Sequence, residues 1–150
     1  DTSSAASDVY KRQGIGGSSG ALFGTLFMTM AKGENIDEGV DYKKAIEIFA
    51  QGVEAVKQRG KADVGEKTMM DVLIPVANCL QDGVQKNKDV NEILSEAIQV
   101  AETGMQSTKD LLATKGRASF LGERAKGHID PGARSSQLMI KTVCESVIQK

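Results

Sequence analysis

A run of glycines and serines, GIGGSSGALFG at 14–24, leads directly into an apolar helical segment. Glycines let a backbone approach a bound group closely, and Ser18 or Ser19 can cap the helix while other main-chain N–H groups face phosphate oxygens. The run is therefore a candidate anion site, and the alternative is an ordinary serine-capped helix start. It lacks both the P-loop pattern and the dinucleotide-binding glycine pattern, so phosphate binding here requires another architecture.

Two further segments lack helical periodicity: GKADVGEKTMMD at 60–71 and the glycine-containing segment 115–132. Each adjoins a helix end, as the glycine–serine turn does. In an antiparallel bundle, the ends of alternate helices gather on one face, so these loops are expected to converge there. Such a site suits a phosphate-bearing ligand, and Met69 offers an adaptable apolar surface to a base ring.

Arg117 and Arg124 are the candidate phosphate partners in the segment 115–132, because a guanidinium donates paired hydrogen bonds and keeps its charge. The alternative is a salt bridge that stabilises the loop, with Glu123 or Asp130 as its acceptor. His128 lies beside Asp130, an arrangement that suits acid–base work, although such a histidine more often orders its own loop.

Turn-forming and acidic residues complete the candidates. Asp130-Pro131-Gly132 is a turn signal before the last predicted helix, with Asp130 able to accept backbone N–H groups. Asp63, Glu66 and Asp71 form a possible metal cluster, but their spacing matches no ligand template. Solvated carboxylates are the favoured interpretation of these three residues.

Composition excludes several classes of function. With 19 basic and 20 acidic residues, a net charge of −1 and 4% aromatic residues, the chain lacks the basic stripe or stacking rings of a nucleic-acid surface. The apolar run 21–31 is too short to span a membrane. Cys79 and Cys144 lie in apolar helical contexts without metal-ligand spacing, which predicts reduced core residues and a cytoplasmic location.

Hydrophobic periodicity predicts an all-α domain at 14–150, after a disordered or non-native leader at 1–13. The third predicted helix begins with the capping-box pattern Thr68-Met69-Met70-Asp71. In the fourth, the apolar face drifts and Gly104 marks a potential interruption. The predicted helices are 18–32, 41–60, 68–84, 89–114 and 133–148, the last burying Leu138, Met139, Thr142, Val143 and Val147.

Three motifs in this order and separation, GGSSGALFG, GKADVGEKTMMD and KGRASFLGERAKGHIDPGA, resemble the ADP-binding L subunit of dihydroxyacetone kinase. The resemblance extends from Ile15 to the C-terminus. It implies an antiparallel up-and-down helical barrel whose rim holds a nucleotide. In the phosphoenolpyruvate-dependent bacterial system it further implies ADP as a bound coenzyme. A phosphohistidine carrier (M) subunit converts that ADP to ATP, which phosphorylates dihydroxyacetone on a K subunit.

The resemblance also implies roles for individual residues. It places Ser18 and Ser19 at the phosphates, with Arg117 on the same side of the nucleotide. Gly60 and Met69 fall near the nucleoside. The loop that closes over the nucleotide is Asp130, Pro131 and Gly132. It implies no catalytic residue in this chain, because the histidine that binds substrate belongs to the K subunit.

One departure from the family pattern concerns magnesium. The family carries, upstream of the glycine turn, an aspartate-rich loop that coordinates two Mg²⁺ ions, and Asp1 and Asp8 do not match it. We therefore expect an N-terminally truncated L subunit that lacks the first helices and the metal ligands. Phosphoryl transfer depends on metal for charge neutralisation, so this chain alone is expected to bind nucleotide weakly and to lack kinase activity. Tight binding of Mg-ADP in calorimetry would contradict that expectation.

Three functions remain open. The first is the ADP-carrying subunit of a phosphoenolpyruvate-dependent dihydroxyacetone kinase, and the second is the C-terminal ATP-binding domain of a single-chain ATP-dependent kinase. The third is a non-catalytic protein that contacts a transcription regulator through the same rim. None of these functions requires nucleic acid or a membrane.

Overall fold

The computed structural model of the chain describes residues 42–113, 122–124 and 126–148. Across these residues it contains four α-helices and no β-strand, which confirms the all-α prediction. None of these helices is both long and apolar enough to cross a bilayer. The helices are α1 (Tyr42–Gly60), α2 (Met70–Gln85), α3 (Val90–Ser107) and α4 (Pro131–Ile148), with a short 3₁₀ helix at Thr108–Asp110.

The chain divides into two units, Asp1–Lys61 and Ala62–Lys150. In the first unit, α1 buries Ile46, Phe49, Val53 and Val56 at spacings of three and four residues, as expected for an amphipathic helix. It ends at Gly60, and Lys61 follows in a left-handed conformation with φ 49°. The predicted helix 18–32 and the predicted leader 1–13 lie outside the described residues.

In the second unit, α2 and α3 form a closely packed antiparallel pair. A Cβ on Gly104, near the end of α3, would lie 2.2 Å from the main-chain oxygen of Asp71 at the start of α2. At the other end of the pair, a Cβ on Gly83 would meet the side chain of Ile93. Glycine at both positions lets the helices approach closely, so Gly104 serves packing and does not interrupt α3.

The end of α3 differs from its predicted position. The helix was expected to continue to Thr114, but it ends at Ser107 and passes into the 3₁₀ helix. The hydroxyl groups of Ser107 and Thr108 donate to the main-chain oxygens of Gly104 and Met105, at 2.6 Å and 2.7 Å. These side chains satisfy carbonyl groups of the last turn, which lets the helix end among buried residues.

The buried face of α4 also differs from the prediction. Met139 is buried as expected, but Leu138 and Val147 are 41% and 47% exposed, and Thr142 is exposed. The buried residues of α4 instead include two polar ones and are spaced at three and four residues: Ala133, Ser136, Gln137, Met139, Ile140 and Cys144. The prediction failed because it weighted large apolar side chains, whereas the buried face of α4 also includes the small or polar residues Ala133, Ser136 and Gln137.

Candidate functional site

The loop before α2 is held in shape by the side chain of Asp71. Its carboxylate accepts the Gly65 N–H at 2.6 Å and the Thr68 N–H at 2.9 Å, and the Thr68 hydroxyl accepts the Met70 N–H at 3.0 Å. The bond from Thr68 to Asp71 is the reciprocal half of the predicted capping box. Asp71 is only 2% exposed, so its interpretation as a solvated carboxylate is wrong. It fixes the path of the loop 62–69.

Lys67 lies in the middle of this loop and is 4% exposed. Its ammonium group donates to the main-chain oxygens of Thr108 and His128. One side chain therefore joins the loop before α2 to the end of α3 and to the segment before α4. A buried ammonium is stable only when acceptors replace its hydration, and these two carbonyl groups supply that replacement.

Thr108 connects two of these segments, the end of α3 and the segment before α4, a second time. Its hydroxyl group donates to the main-chain oxygen of Met105 and accepts the Asp130 N–H at 3.0 Å. Nearby, the Gly127 N–H donates to the Lys109 main-chain oxygen at 2.6 Å. The segment 126–130 is therefore tied to the end of α3 by a main-chain hydrogen bond and by the Thr108 hydroxyl, as well as by Lys67.

Asp130 caps the N-terminus of α4, as the turn signal predicts. Its carboxylate accepts the Ala133 N–H at 2.9 Å, and its main-chain oxygen accepts the Arg134 N–H at 3.0 Å. Burial raises the pKa of this carboxyl above its ordinary value, although the Ala133 N–H and the Lys67 ammonium oppose that rise. Since Pro131 has no N–H and Asp130 takes those of Ala133 and Arg134, little of this helix start remains for a phosphate.

Gly132 brings the loop before α2 against the start of α4. A Cβ at Gly132 would lie 3.1 Å from a carboxylate oxygen of Asp130 and 3.5 Å from the Cβ of Met69. Met69 is buried at this junction, while Pro131 is exposed. The structure therefore brings Met69 together with Asp130, Pro131 and Gly132, four of the residues that the resemblance implies.

The other candidates are placed differently. Ser18, Ser19 and Arg117 lie outside the described residues, and Gly60 ends α1 in the first unit. His128 has an exposed side chain and enters the loop cluster through its main-chain oxygen. In the segment before α4, Glu123 forms an ion pair with Lys126 at 3.3 Å.

The acidic residues of the loop before α2 do not form a metal site. The Asp63 N–H donates to the Glu66 carboxylate at 3.2 Å, and the Val64 N–H donates to the Asp63 carboxylate at 2.7 Å. Within residues 42–113, 122–124 and 126–148, no group of three or more acidic, cysteine or histidine side chains is arranged to hold a metal ion. The described residues therefore contain no cluster of this kind for the magnesium ions that the resemblance implies.

Lys67 and Thr108 are the residues of this cluster that the sequence did not reveal. The acceptors of the Lys67 ammonium lie 41 and 61 residues further along the chain. A lysine in a polar loop is usually solvated, and nothing local distinguishes this one. The only usable signal is its position between Gly65 and Thr68, inside a segment already singled out.

Comparison with known proteins identifies the family. The sequence model of the DAK2 domain matches residues 3–145. This chain belongs to the DAK2 domain family. The match covers far more than half of the chain. It agrees with the resemblance that the three motifs indicate.

Curated relatives of this DAK2 domain include ADP-binding subunits of dihydroxyacetone kinases. The chain is 41% identical over 147 residues to the subunit DhaL of PEP-dependent dihydroxyacetone kinase 1 from Listeria innocua, covering 94% of this chain and 68% of the relative. It is 42% identical over 127 residues to the subunit DhaL from Escherichia coli, covering 85% and 60%. This DAK2 domain therefore spans about two thirds of the length of these relatives.

A solved structure has the same fold. The dihydroxyacetone kinase from C. freundii, in complex with AMP-PNP and Mg²⁺, matches with a TM-score of 0.56 and 28% identity. The match covers 88% of this chain and 20% of that one. The all-helical architecture of the DAK2 domain is therefore shared with a nucleotide-binding kinase.

Proposed function

We propose that the protein carrying this DAK2 domain is the ADP-carrying subunit of a dihydroxyacetone kinase that takes phosphoryl groups from a phosphohistidine carrier. The observation that carries the proposal is the 42% identity to the ADP-binding subunit from Escherichia coli. Bound ADP would accept a phosphoryl group from the carrier and pass it to dihydroxyacetone on a K subunit. The contribution of this chain is to bind and orient the nucleotide, with no catalytic residue of its own.

The proposed nucleotide site divides into a phosphate side and a nucleoside side. Because Asp130 occupies N–H groups at the start of α4, we assign the phosphates to the glycine–serine turn with Ser18 and Ser19, and to Arg117. Gly60 and Met69 are assigned to the nucleoside. Met69 adjoins Gly132, since a Cβ on Gly132 would lie 3.7 Å from the Met69 main-chain nitrogen, so a residue assigned to the nucleoside neighbours the loop assigned to close over the nucleotide.

The loop Asp130–Gly132 is assigned to closing over the nucleotide. Its first residue is fixed from both directions, by the cap on Ala133 and by the hydrogen bond to Thr108. A loop held this way is ordered before ligand arrives, which reduces the entropy lost on binding. The solved relative holds its nucleotide analogue with Mg²⁺, and we expect ADP and ATP to bind here as magnesium complexes. The described carboxylates have no proposed role in binding that metal.

The main alternative is the ATP-binding domain of a single-chain kinase. Longer relatives include L-erythrulose 1-kinase from Mycolicibacterium smegmatis, which is 34% identical, with 22% of its length covered. Human triokinase/FMN cyclase is 32% identical. The higher identity to separate ADP-binding subunits, 38–42%, favours the first proposal. The third candidate function is that of a non-catalytic protein that contacts a transcription regulator.

Reconstitution tests the proposal and identifies the phosphoryl donor. The protein carrying this chain is combined with a K subunit, dihydroxyacetone, catalytic amounts of ADP and either the phosphohistidine carrier system or excess ATP. Carrier-dependent formation of dihydroxyacetone phosphate is expected, with little turnover from free ATP. Turnover from ATP alone would favour the single-chain kinase. Absence of phosphoryl transfer from either donor would contradict both kinase proposals.

Paired variants test the phosphate assignment in the same assay. Ser18→Ala combined with Ser19→Ala removes two hydroxyl groups from the proposed phosphate turn, and Ser95→Ala removes an exposed hydroxyl from α3. The double variant is expected to bind ADP more weakly by about tenfold or more, since tenfold is the usual cost of losing one hydrogen bond to a charged group. Unchanged affinity, equal to that of Ser95→Ala, would contradict the assignment.

A further inference from the structure

Lys67 occupies an unfavourable position for a lysine. Its ammonium group is buried. Its backbone φ of 60° lies in the left-handed region, which residues other than glycine and asparagine rarely adopt. Asparagine or glycine would adopt this left-handed backbone conformation more easily, and methionine would be buried at lower cost. A strained residue with a buried charge is therefore better explained by what its ammonium connects than by local stability.

The ammonium of Lys67 connects three segments that meet at the start of α4. Its own loop, 62–69, contains Met69 and is anchored to α2 through Asp71. One acceptor, the Thr108 oxygen, belongs to the end of α3, and the other, the His128 oxygen, belongs to the segment 126–130. Three hydrogens on one nitrogen allow it to serve carbonyl groups from different directions.

The second and third segments are already joined to each other without Lys67. The Asp130 N–H donates to Thr108 at 3.0 Å, and the Gly127 N–H donates to Lys109 at 2.6 Å. Lys67 adds the side-chain link from the first segment to both of the others. Removal of its ammonium would leave α2 and α3 packed but would break the hydrogen-bonded link between the loop of Met69 and the segment that leads into Asp130–Gly132.

We propose that Lys67 is a positioning residue that holds the loop 62–69 in register with the segment 126–132, so that the bound nucleotide is retained between phosphoryl transfers. The proposal rests on the proposed function, since retention is meaningful only for a protein that carries ADP. Lys67 acts through the two loops and makes no contact with substrate. Its removal should therefore increase the rate of ADP dissociation. The stability of the helices should remain largely unchanged.

Four versions of the protein carrying this chain test this role: the wild type, Lys67→Met, Lys67→Gln and the control Lys109→Met. Methionine keeps much of the side-chain volume and removes the donors, whereas Lys109 is an exposed lysine in the neighbouring 3₁₀ helix. Dissociation of a fluorescent ADP analogue is followed by stopped flow. Hydrogen exchange is measured at the Gly127 and Asp130 amides and at amides within α2 and α3.

For Lys67→Met, we expect ADP to dissociate about tenfold faster or more, since hydrogen bonds from a charged donor no longer fix the loops. Exchange should accelerate at Gly127 and Asp130 while the α2 and α3 amides keep their protection. Lys109→Met should match the wild type in both measurements. Wild-type dissociation and wild-type loop exchange in Lys67→Met would overturn the proposal.

Loss of protection throughout α2 and α3, to the same extent as in the loops, would also overturn it, because Lys67 would then be merely structural. If Lys67→Met does not fold, Lys67→Gln is judged by the same two criteria. Failure of the proposed function gives a different result: the wild type itself would bind no ADP. In that case exchange at Gly127 and Asp130 still reports whether Lys67 couples the loops.

Discussion

Gly104 lies where α3 passes the start of α2, and its substitution by alanine provides a quantitative test of that packing. The new Cβ would lie 2.2 Å from the main-chain oxygen of Asp71, about 1.2 Å short of the 3.4 Å at which ordinary contact begins. The obstructing atom belongs to the backbone of a helix, so no side-chain rotation relieves the overlap. The two helices must separate.

The expected cost follows from two opposing effects. Forcing helices apart in a well-packed core costs about 3 kcal/mol, at the upper end of the usual range for overpacking. Alanine recovers about 1 kcal/mol of helix propensity relative to glycine. The net decrease in the free energy of unfolding should therefore be about 2 kcal/mol, measured by urea denaturation with circular dichroism.

Two controls distinguish packing from a general effect of the substitution. Thr103→Ala changes the exposed neighbour and should alter stability by less than about 0.5 kcal/mol. Gly83→Ala places its Cβ against the Ile93 side chain, which can shift, so it should cost less than Gly104→Ala. Because Asp71 also anchors the loop 62–69, Gly104→Ala should accelerate exchange of the Gly65 amide. Stability equal to that of Thr103→Ala would refute this account of the helix pair.

Three other changes give distinct results. Burial raises the pKa of Asp130, so its stabilising contribution is complete below the ordinary value of 3.8 and is lost as pH rises through the folded-state pKa. Thermal melts between pH 4 and 7 should therefore show less pH dependence for Asp130→Asn than for the wild type, while Asp130→Ala should lose about 1 kcal/mol with the cap. An unchanged pH profile in Asp130→Asn would contradict this. Asp71→Ala leaves the Gly65 and Thr68 amides without their acceptor and should lower the free energy of unfolding by about 2–3 kcal/mol, measured by urea denaturation. Wild-type stability in this variant would contradict the anchoring role of Asp71. Burial raises the pKa of Cys144 to about 11 and also raises that of Cys79. Iodoacetamide at pH 8 should therefore modify both thiols more slowly than free cysteine in solution. Rapid labelling of Cys144 in the native protein would contradict its burial.

The existence of the helices was predictable because each described one carries a long periodic apolar pattern. Their ends depended on side chains that bond to the backbone. The capping pattern at Thr68 placed the start of α2 within two residues, whereas the hydroxyl groups of Ser107 and Thr108 ended α3 before its predicted limit. Serine and threonine are compatible with both a helix interior and a helix end, so the sequence alone does not decide between them.

The candidate site was only partly predictable, for a related reason. Asp130 was recognisable because the N–H groups that it caps, on Ala133 and Arg134, lie within four residues, in a turn with proline and glycine. Lys67 was not recognisable because its partners come from distant segments that meet only after α3 and α4 pack together. Asp71 was considered for its charge, but it is buried, and Gly104 of the distant helix α3 packs against its main chain, a contact that no local pattern reveals.

The central claim is that the nucleoside of ADP lies where the loop 62–69 meets the start of α4. Photolabelling with 8-azido-ADP, followed by trypsin digestion, tests it directly on the protein carrying this chain. Label is expected in the tryptic peptides 68–86 and 127–134, which contain Met69 and Asp130–Gly132, and excess ADP should prevent it. Label confined to other peptides, or label that ADP does not displace, would contradict the proposed nucleotide site.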